Sequence, residues 1–329
     1  MIKAAIVGMG WWGRTLTREL AQSDVIRPVL CIEPTEAGRG AAVAAGLQVS
    51  ARFEDALARA DIAAVILTSP HKYHADQIVA AAGAGKHVFC EKPLCTTARD
   101  VDRAIAAVRK AGVQLGIGHE RRFEPGVIDL RRRLGAGEFG TPLLVEANFS
   151  QDKFLALPAD NWRLSAIEAP VGPLSATGIH LMDLSIACLG KPTEVWARLA
   201  TLGSSFANGD TLAITIAFET GATALLTAIL ATPFVGRLAV YGSTGWMEIR
   251  DRTHFENSTG WDVTSVRRDE APATRFLPPH PAVRDNLEAF GRAVAGGAAY
   301  PVSLEEIAIN VRTFEAITRS ALSGRIERV

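Results

Sequence analysis

A six-residue turn near the start, Gly8-Met9-Gly10-Trp11-Trp12-Gly13, most constrains what this chain can become. It directly follows the short apolar run Ala4–Val7, and helical sequence continues from it to about Ala21. Glycines at this spacing have separate tasks. The first permits a tight turn, the second lets backbone approach a pyrophosphate, and the third lets helix pack closely on strand. The helix that follows presents N–H groups suited to an anion. The next strand-like run, Arg27–Glu33, ends on a carboxylate twenty residues after Gly13, where it can accept hydrogen bonds from an adenosine ribose. The pattern predicts a dinucleotide site using Gly8, Gly10, Gly13 and Glu33. It favours NAD, because Glu33 repels a 2′-phosphate; NADP stays as the alternative, since Arg39 lies nearby in sequence. Trp11 and Trp12, inside the turn, either narrow the cofactor pocket or pack at a domain interface.

Strand and helix signals keep alternating through the first third. After an Ala-rich helix (37–45) come a short strand (47–50), a helix near 53–59, and the very apolar run Ile62–Thr68. Residues 74–84 read as helix, 87–90 as strand, and Thr97 opens a further helix with Asp100 completing a capping box. Val113–Gly118 closes the series. Such repetition implies a parallel sheet with right-handed crossovers on both faces.

After about residue 120 the pattern changes. A basic helix (123–134) precedes an alternating strand (142–150), and a loop then helix occupies 160–190. Its run Arg131-Arg132-Arg133 reads as a solvated face, with Val127, Leu130 and Leu134 buried. Four or five strands follow between Thr193 and Arg250. In Thr211–Phe218, Leu212, Ile214, Ile216 and Phe218 face one way, so one sheet face requires cover by helices or a second subunit. Residues 250–280 read as irregular. Two helices end the chain, the last opened by a Ser303–Glu306 box and stopped by Gly324. The expected architecture is α/β, with a Rossmann domain over 1–120 and a substrate-binding, oligomerising α/β domain over 121–329, built on a large, mostly antiparallel open sheet.

Composition narrows the function. A chain of 329 residues exceeds one ordinary domain of about 100–200 residues. Its 35 Lys and Arg balance 35 Asp and Glu, which removes the broad basic footprint of a nucleic-acid binder. Four scattered cysteines cannot build a disulfide scaffold and fit a reducing compartment. The apolar run before Gly8 is too short for a signal peptide. The longest uncharged apolar stretch, Gly221–Gly236, spans 16 residues and falls short of the roughly 20 a membrane helix needs. These features predict a cytoplasmic protein without nucleic-acid or membrane partners.

Residue types then close several routes to hydride transfer. A Tyr with Lys four residues later is missing: Tyr73, Tyr241 and Tyr300 are followed at that offset by Gln77, Gly245 and Leu304. Neither His87-x2-Cys90-x4-Cys95 nor His71-x2-His74 has the surroundings of a zinc site, so no metal is expected. Glu91-Lys92-Pro93, by contrast, ends a parallel strand at the edge where such folds bind ligands. A lysine there can favour the alkoxide-like charge that develops as hydride leaves a carbinol carbon. Proline stiffens that turn and is suited to a cis bond.

Several pieces, in combination and order, carry a resemblance over essentially the whole chain. They are Gly8–Gly13, Thr68-Ser69-Pro70 with His74, Gly85–Pro93, Arg121-Arg122-Phe123, Trp162-Arg163, Gly178-Ile-His180-Leu-Met-Asp183 and Gly242-Ser-Thr-Gly245. The chain resembles the glucose-fructose oxidoreductase / inositol dehydrogenase (Gfo/Idh/MocA) family. That resemblance implies NAD(P)-linked oxidation of sugars, cyclitols or related secondary alcohols, by dimers or tetramers formed through the open sheet. It implies substrate orientation by Lys92, acid/base work by His180 and substrate binding by Asp183 and Arg163. It also implies cofactor contacts from the glycine-rich turn, Thr68, Ser69, Pro70, His74, Glu91, Lys92, Arg121 and Arg163. The substrate would lie between the nicotinamide and the sheet. Many family members carry an aspartate four residues before the histidine, whereas this chain has Ala176. That departure keeps two rivals in play: a dinucleotide-sensing regulator without turnover, and a glycosidase that retains NAD.

Overall fold

A computed structural model describes residues 1–329. The first six strands and their helices alternate: β1 (Ile2–Val7), α1 (Trp11–Leu20), β2 (Ile26–Ile32), α2 (Glu36–Ala44), β3 (Gln48–Ser50), α3 (Phe53–Ala58), β4 (Ala64–Leu67), α4 (His74–Gly83), β5 (His87–Cys90), α5 (Ala98–Ala111) and β6 (Leu115–Ile117). All neighbours pair in parallel in the order β3-β2-β1-β4-β5-β6. This is the doubly wound dinucleotide-binding order, whose switch point lies between β1 and β4. Ala4–Val7 of β1 and all of β4 are continuous apolar runs because both sheet faces are covered there. Thr97 caps α5 through the Asp100 N–H at 3.2 Å, as its sequence predicts.

The second sheet begins after α6 (Pro125–Gly135) with β7 (Pro142–Ser150). Then come α7 (Ile179–Leu189), β8 (Pro192–Ala200), β9 (Thr211–Phe218), β10 (Thr223–Ile229), β11 (Val235–Gly242), β12 (Gly245–Asp251), β13 (Trp261–Arg267) and β14 (Ala273–Leu277). Helices α8 (Ala282–Val294) and α9 (Leu304–Ser323) precede a two-residue strand, β15 (Glu327–Arg328). The order is β14-β13-β12-β11-β7-β10-β9-β8-β15, antiparallel throughout except for the parallel β7–β10 pair. Leu212, Ile214, Ile216 and Phe218 are buried, and α7 packs against β7 and β10. Trp196 and Leu225 lie exposed on the other, open face. Residues 250–280, expected to be irregular, contain the β13–β14 hairpin.

The chain forms two compact units, 1–120 with 281–311, and 121–280 with 312–329. The boundary read from sequence is therefore corrected at one place, because residues 281–311 return to the nucleotide-binding unit. Apolar packing explains the return. Phe290 is fully buried edge-to-face on Phe89 at 5.6 Å, and the Tyr300 hydroxyl donates to the Ile117 carbonyl at 2.9 Å. At the start of α9, Ser303 and Glu306 close a reciprocal capping box.

Candidate active site

The nucleotide-binding unit assembles its site at the carboxyl ends of β1, β2, β4 and β5. Gly8 turns the chain at φ +97°, a region closed to most side chains. A Cβ on Gly13 would overlap the Gly8 carbonyl oxygen, so this glycine is required by helix–strand packing. At Gly10 a Cβ would meet no atom within 4 Å beyond its two chain neighbours, and the residue caps α1 without a side-chain hydrogen bond. A surface bare of side chains at a helix N-terminus fits a pyrophosphate. Thr68 closes the floor of the turn, its hydroxyl donating to the Val7 and Gly8 carbonyls at 2.9 and 2.8 Å. The Ser69 hydroxyl donates to Gln77 at 2.6 Å.

Glu33 lies at the end of β2 as expected, and its carboxylate is tied to the glycine-rich turn. One oxygen accepts from the Met9 N–H at 2.8 Å, the other from the N–H and hydroxyl of Thr35 at 2.9 and 2.7 Å. Burial opposes the charge, yet these donors and the Arg39 guanidinium hold the carboxyl below its ordinary range. Arg39 is itself anchored on the carbonyls of Glu33 and Pro34.

Glu91 and Lys92 follow β5, and the Lys92–Pro93 bond is cis. Burial pushes the Glu91 carboxyl up to about 7, against the Trp12 indole and the Lys92 charge, which favour its ionised form. Gly118 has no side chain because a Cβ there would overlap this carboxylate. His74, expected among the cofactor contacts, is buried beneath the loops. Its ring nitrogens lie 3.0 Å from the Pro93 carbonyl oxygen and 2.8 Å from that of Ser69. Burial drives its pKa down to about 4. The ring therefore shapes the loops that bear Ser69 and Lys92 and does not present an open face of its own.

The second unit holds the other expected groups. A single π-helical turn, Leu174–Gly178, opens directly into α7, which carries His180 and Asp183. Such wide turns recur at functional sites. His180 is buried with its ring 5.7 Å from Phe149 and 5.9 Å from Phe255. The Asp183 carboxylate, assigned by resemblance to substrate, is gripped by Arg122 through contacts of 2.6–3.0 Å with both side chains buried. Arg121, assigned by resemblance to cofactor, donates to Glu124 at 3.0 Å and to Asp251 at 2.7 Å. Its charge is held despite burial by those two carboxylates, and its guanidinium stacks 5.2 Å over Phe149. Both groups thus support the frame around His180. Arg163 stacks 4.5 Å over Trp162, and desolvation lowers its pKa from the usual guanidinium value. Ala176 packs on the apolar cluster of Phe154, Leu164, Phe206 and Leu230.

Two family models match this chain: the oxidoreductase family with NAD-binding Rossmann fold over residues 2–119, and the GFO/IDH/MocA C-terminal domain over residues 127–248. The chain belongs to the Gfo/Idh/MocA family of NAD(P)-dependent oxidoreductases. Among its relatives is the scyllo-inositol 2-dehydrogenase (NAD(+)) of Bacillus subtilis, 30% identical over 335 residues, 98% of this chain and 95% of that protein. An uncharacterised oxidoreductase of the same organism is 31% identical over 256 residues, 75% of this chain and 71% of that one. The aldose-aldose oxidoreductase of Caulobacter crescentus, solved with glycerol, superposes with a TM-score of 0.88 at 25% identity, covering 100% of this chain and 99% of that one.

Within this Gfo/Idh/MocA chain, sequence reasoning located the backbone cradle but missed the partners. Arg122 stood inside the quoted Arg121-Arg122-Phe123, yet its ion pair with Asp183 spans 61 residues. The aromatic rings beside His180, Phe149 and Phe255, and those packed on them, Phe234 and His254, carried no local motif.

Proposed function

We propose that this chain oxidises a secondary alcohol of a small hydroxylated molecule, a sugar, cyclitol or related diol, using NAD, with NADP as the alternative acceptor. One observation carries the reading. Lys92 stands at the same carboxyl edge of the parallel sheet as the Gly8–Gly13 turn, on a loop anchored from below by His74 and Glu91. Held on the Gly8–Gly13 turn and beside Glu33, a nicotinamide dinucleotide would supply the hydride acceptor. His180 takes the hydroxyl proton. Lys92 stabilises the negative charge that grows on the substrate oxygen. Arg163, a desolvated cation, engages cofactor or substrate. The names of the relatives, a scyllo-inositol 2-dehydrogenase and an aldose-aldose oxidoreductase, support this substrate class.

The test is NADH absorbance with a panel of sugars, inositols, diols and hydroxy acids. Lys92→Ala is expected to lower kcat by about 10²-fold or more, the loss of one oxyanion partner. Near-normal turnover in that variant removes Lys92 from the chemistry.

A further inference from the structure

The carboxyl end of β7 carries a buried amide that no contact within the fold explains. Phe149 faces α7, its ring centroid 5.7 Å from that of His180. Ser150 faces the other way, its hydroxyl donating to the Asn148 side chain at 2.6 Å. The ladder continues one residue past the strand, where the Gln151 N–H donates to the Ile229 carbonyl at 2.9 Å. The Gln151 side chain therefore returns to the Phe149 face, about 7 Å further along it. The chain then stays beside the same rings. Lys153 Nζ lies 3.0 Å from His254 Nδ1, and the His254 centroid is 5.7 Å from that of Phe149.

Gln151 is only 6% exposed, and its amide oxygen is buried without a hydrogen-bond partner. Polar groups on this side of the sheet are committed to one another. Lys153 donates to Glu256 at 3.0 Å, His254 Nδ1 accepts from the Glu256 N–H at 3.3 Å, and Arg122 grips Asp183. The side chains that follow on the two strands, Phe154 and Leu230, join the apolar cluster on which Ala176 packs and offer no donor. A buried acceptor without a partner destabilises a fold, and methionine would fill similar space without that cost. Packing alone does not call for an amide here; a donor arriving with a ligand does. The last torsion of a glutamine side chain is broad and roughly two-fold, so a half-turn carries the oxygen to the exposed edge of the residue.

Resting on the dehydrogenase reading above, we propose that Gln151 is a substrate-binding residue that determines specificity. Its amide oxygen accepts from a second hydroxyl of the substrate, on the carbon next to the one whose hydroxyl His180 deprotonates. Both groups adjoin the Phe149 ring, so one small molecule can engage the two. An alcohol lacking the neighbouring hydroxyl leaves the amide unpartnered and is disfavoured.

Two matched pairs test this with the full-length protein and NAD or NADP: cis-1,2-cyclohexanediol against cyclohexanol, and glucose against 2-deoxyglucose. The wild type is expected to favour the member with the neighbouring hydroxyl by at least about tenfold in kcat/KM. Gln151→Met should bring that ratio to within about threefold by lowering kcat/KM for the diol-bearing member alone. Its urea midpoint should be unchanged or higher, because an unpartnered buried acceptor has been removed. Equal losses on both members with a lowered midpoint would show a structural amide and overturn the proposal. So would a wild type that favours neither member, a ratio that Gln151→Met leaves unmoved, or turnover of other alcohols but of no member of either pair. Failure to reduce either cofactor with any alcohol overturns the dehydrogenase reading and this inference together.

Discussion

Burial drives the Glu91 carboxyl up to about 7 from an ordinary value of 4.5. Between those two pH values the folded protein binds more protons at this residue than the unfolded chain does. Its contribution to stability therefore falls as pH rises from about 4.5 to 7. Glu91→Gln should remove that slope: urea midpoints of the wild type should decline across the interval more steeply than those of the variant. Equal slopes would show that Glu91 is ionised in the fold. At this scale the sequence was partly legible. Lys92 stood out by its setting, because a lysine at a sheet's carboxyl edge has a chemical use, whereas the role proposed for His180 came only from the resemblance. The pairs Arg122–Asp183 and Arg121–Asp251 could not be read, since an ion pair between residues 61 or 130 positions apart leaves no trace in spacing.

Elements were legible where period and capping agreed. Residues 211–218 alternate cleanly in sequence and form β9 with alternating burial. Thr97 and Ser303 sit where their caps require. The β13–β14 hairpin was missed for a physical reason: β14, Ala273–Leu277, is almost wholly exposed at the sheet edge and lacks an apolar alternation. Helix α8 was recognised, but its allegiance was not, because helical periodicity shows which face is buried and not against what. The packing predicts the consequence of truncating its central ring. Phe290→Ala should cost about 3–5 kcal/mol, the usual range for a buried phenylalanine, read as a lowered urea midpoint. A change below about 1 kcal/mol would show that α8 is dispensable to the nucleotide-binding unit.

Over the whole molecule, the division of labour follows from two sheets with different burial. The parallel sheet, covered on both faces, leaves its carboxyl edge as the place for a dinucleotide; the larger sheet carries α7 and His180 on its covered face. Its grammar was readable early, since strand–helix alternation gave way to strands near residue 120, and the first unit ends at Glu120 before its later return. The central claim is that hydride passes from a carbinol carbon to a dissociable nicotinamide cofactor. The most direct measurement uses a productive alcohol deuterated at that carbon, with NAD in excess and NMR of the released cofactor. The account predicts one deuterium at nicotinamide C4 for each alcohol oxidised, accumulating in solution over many turnovers. Alcohol consumed with no deuterium in free cofactor, or no reduced cofactor released at all, would contradict it.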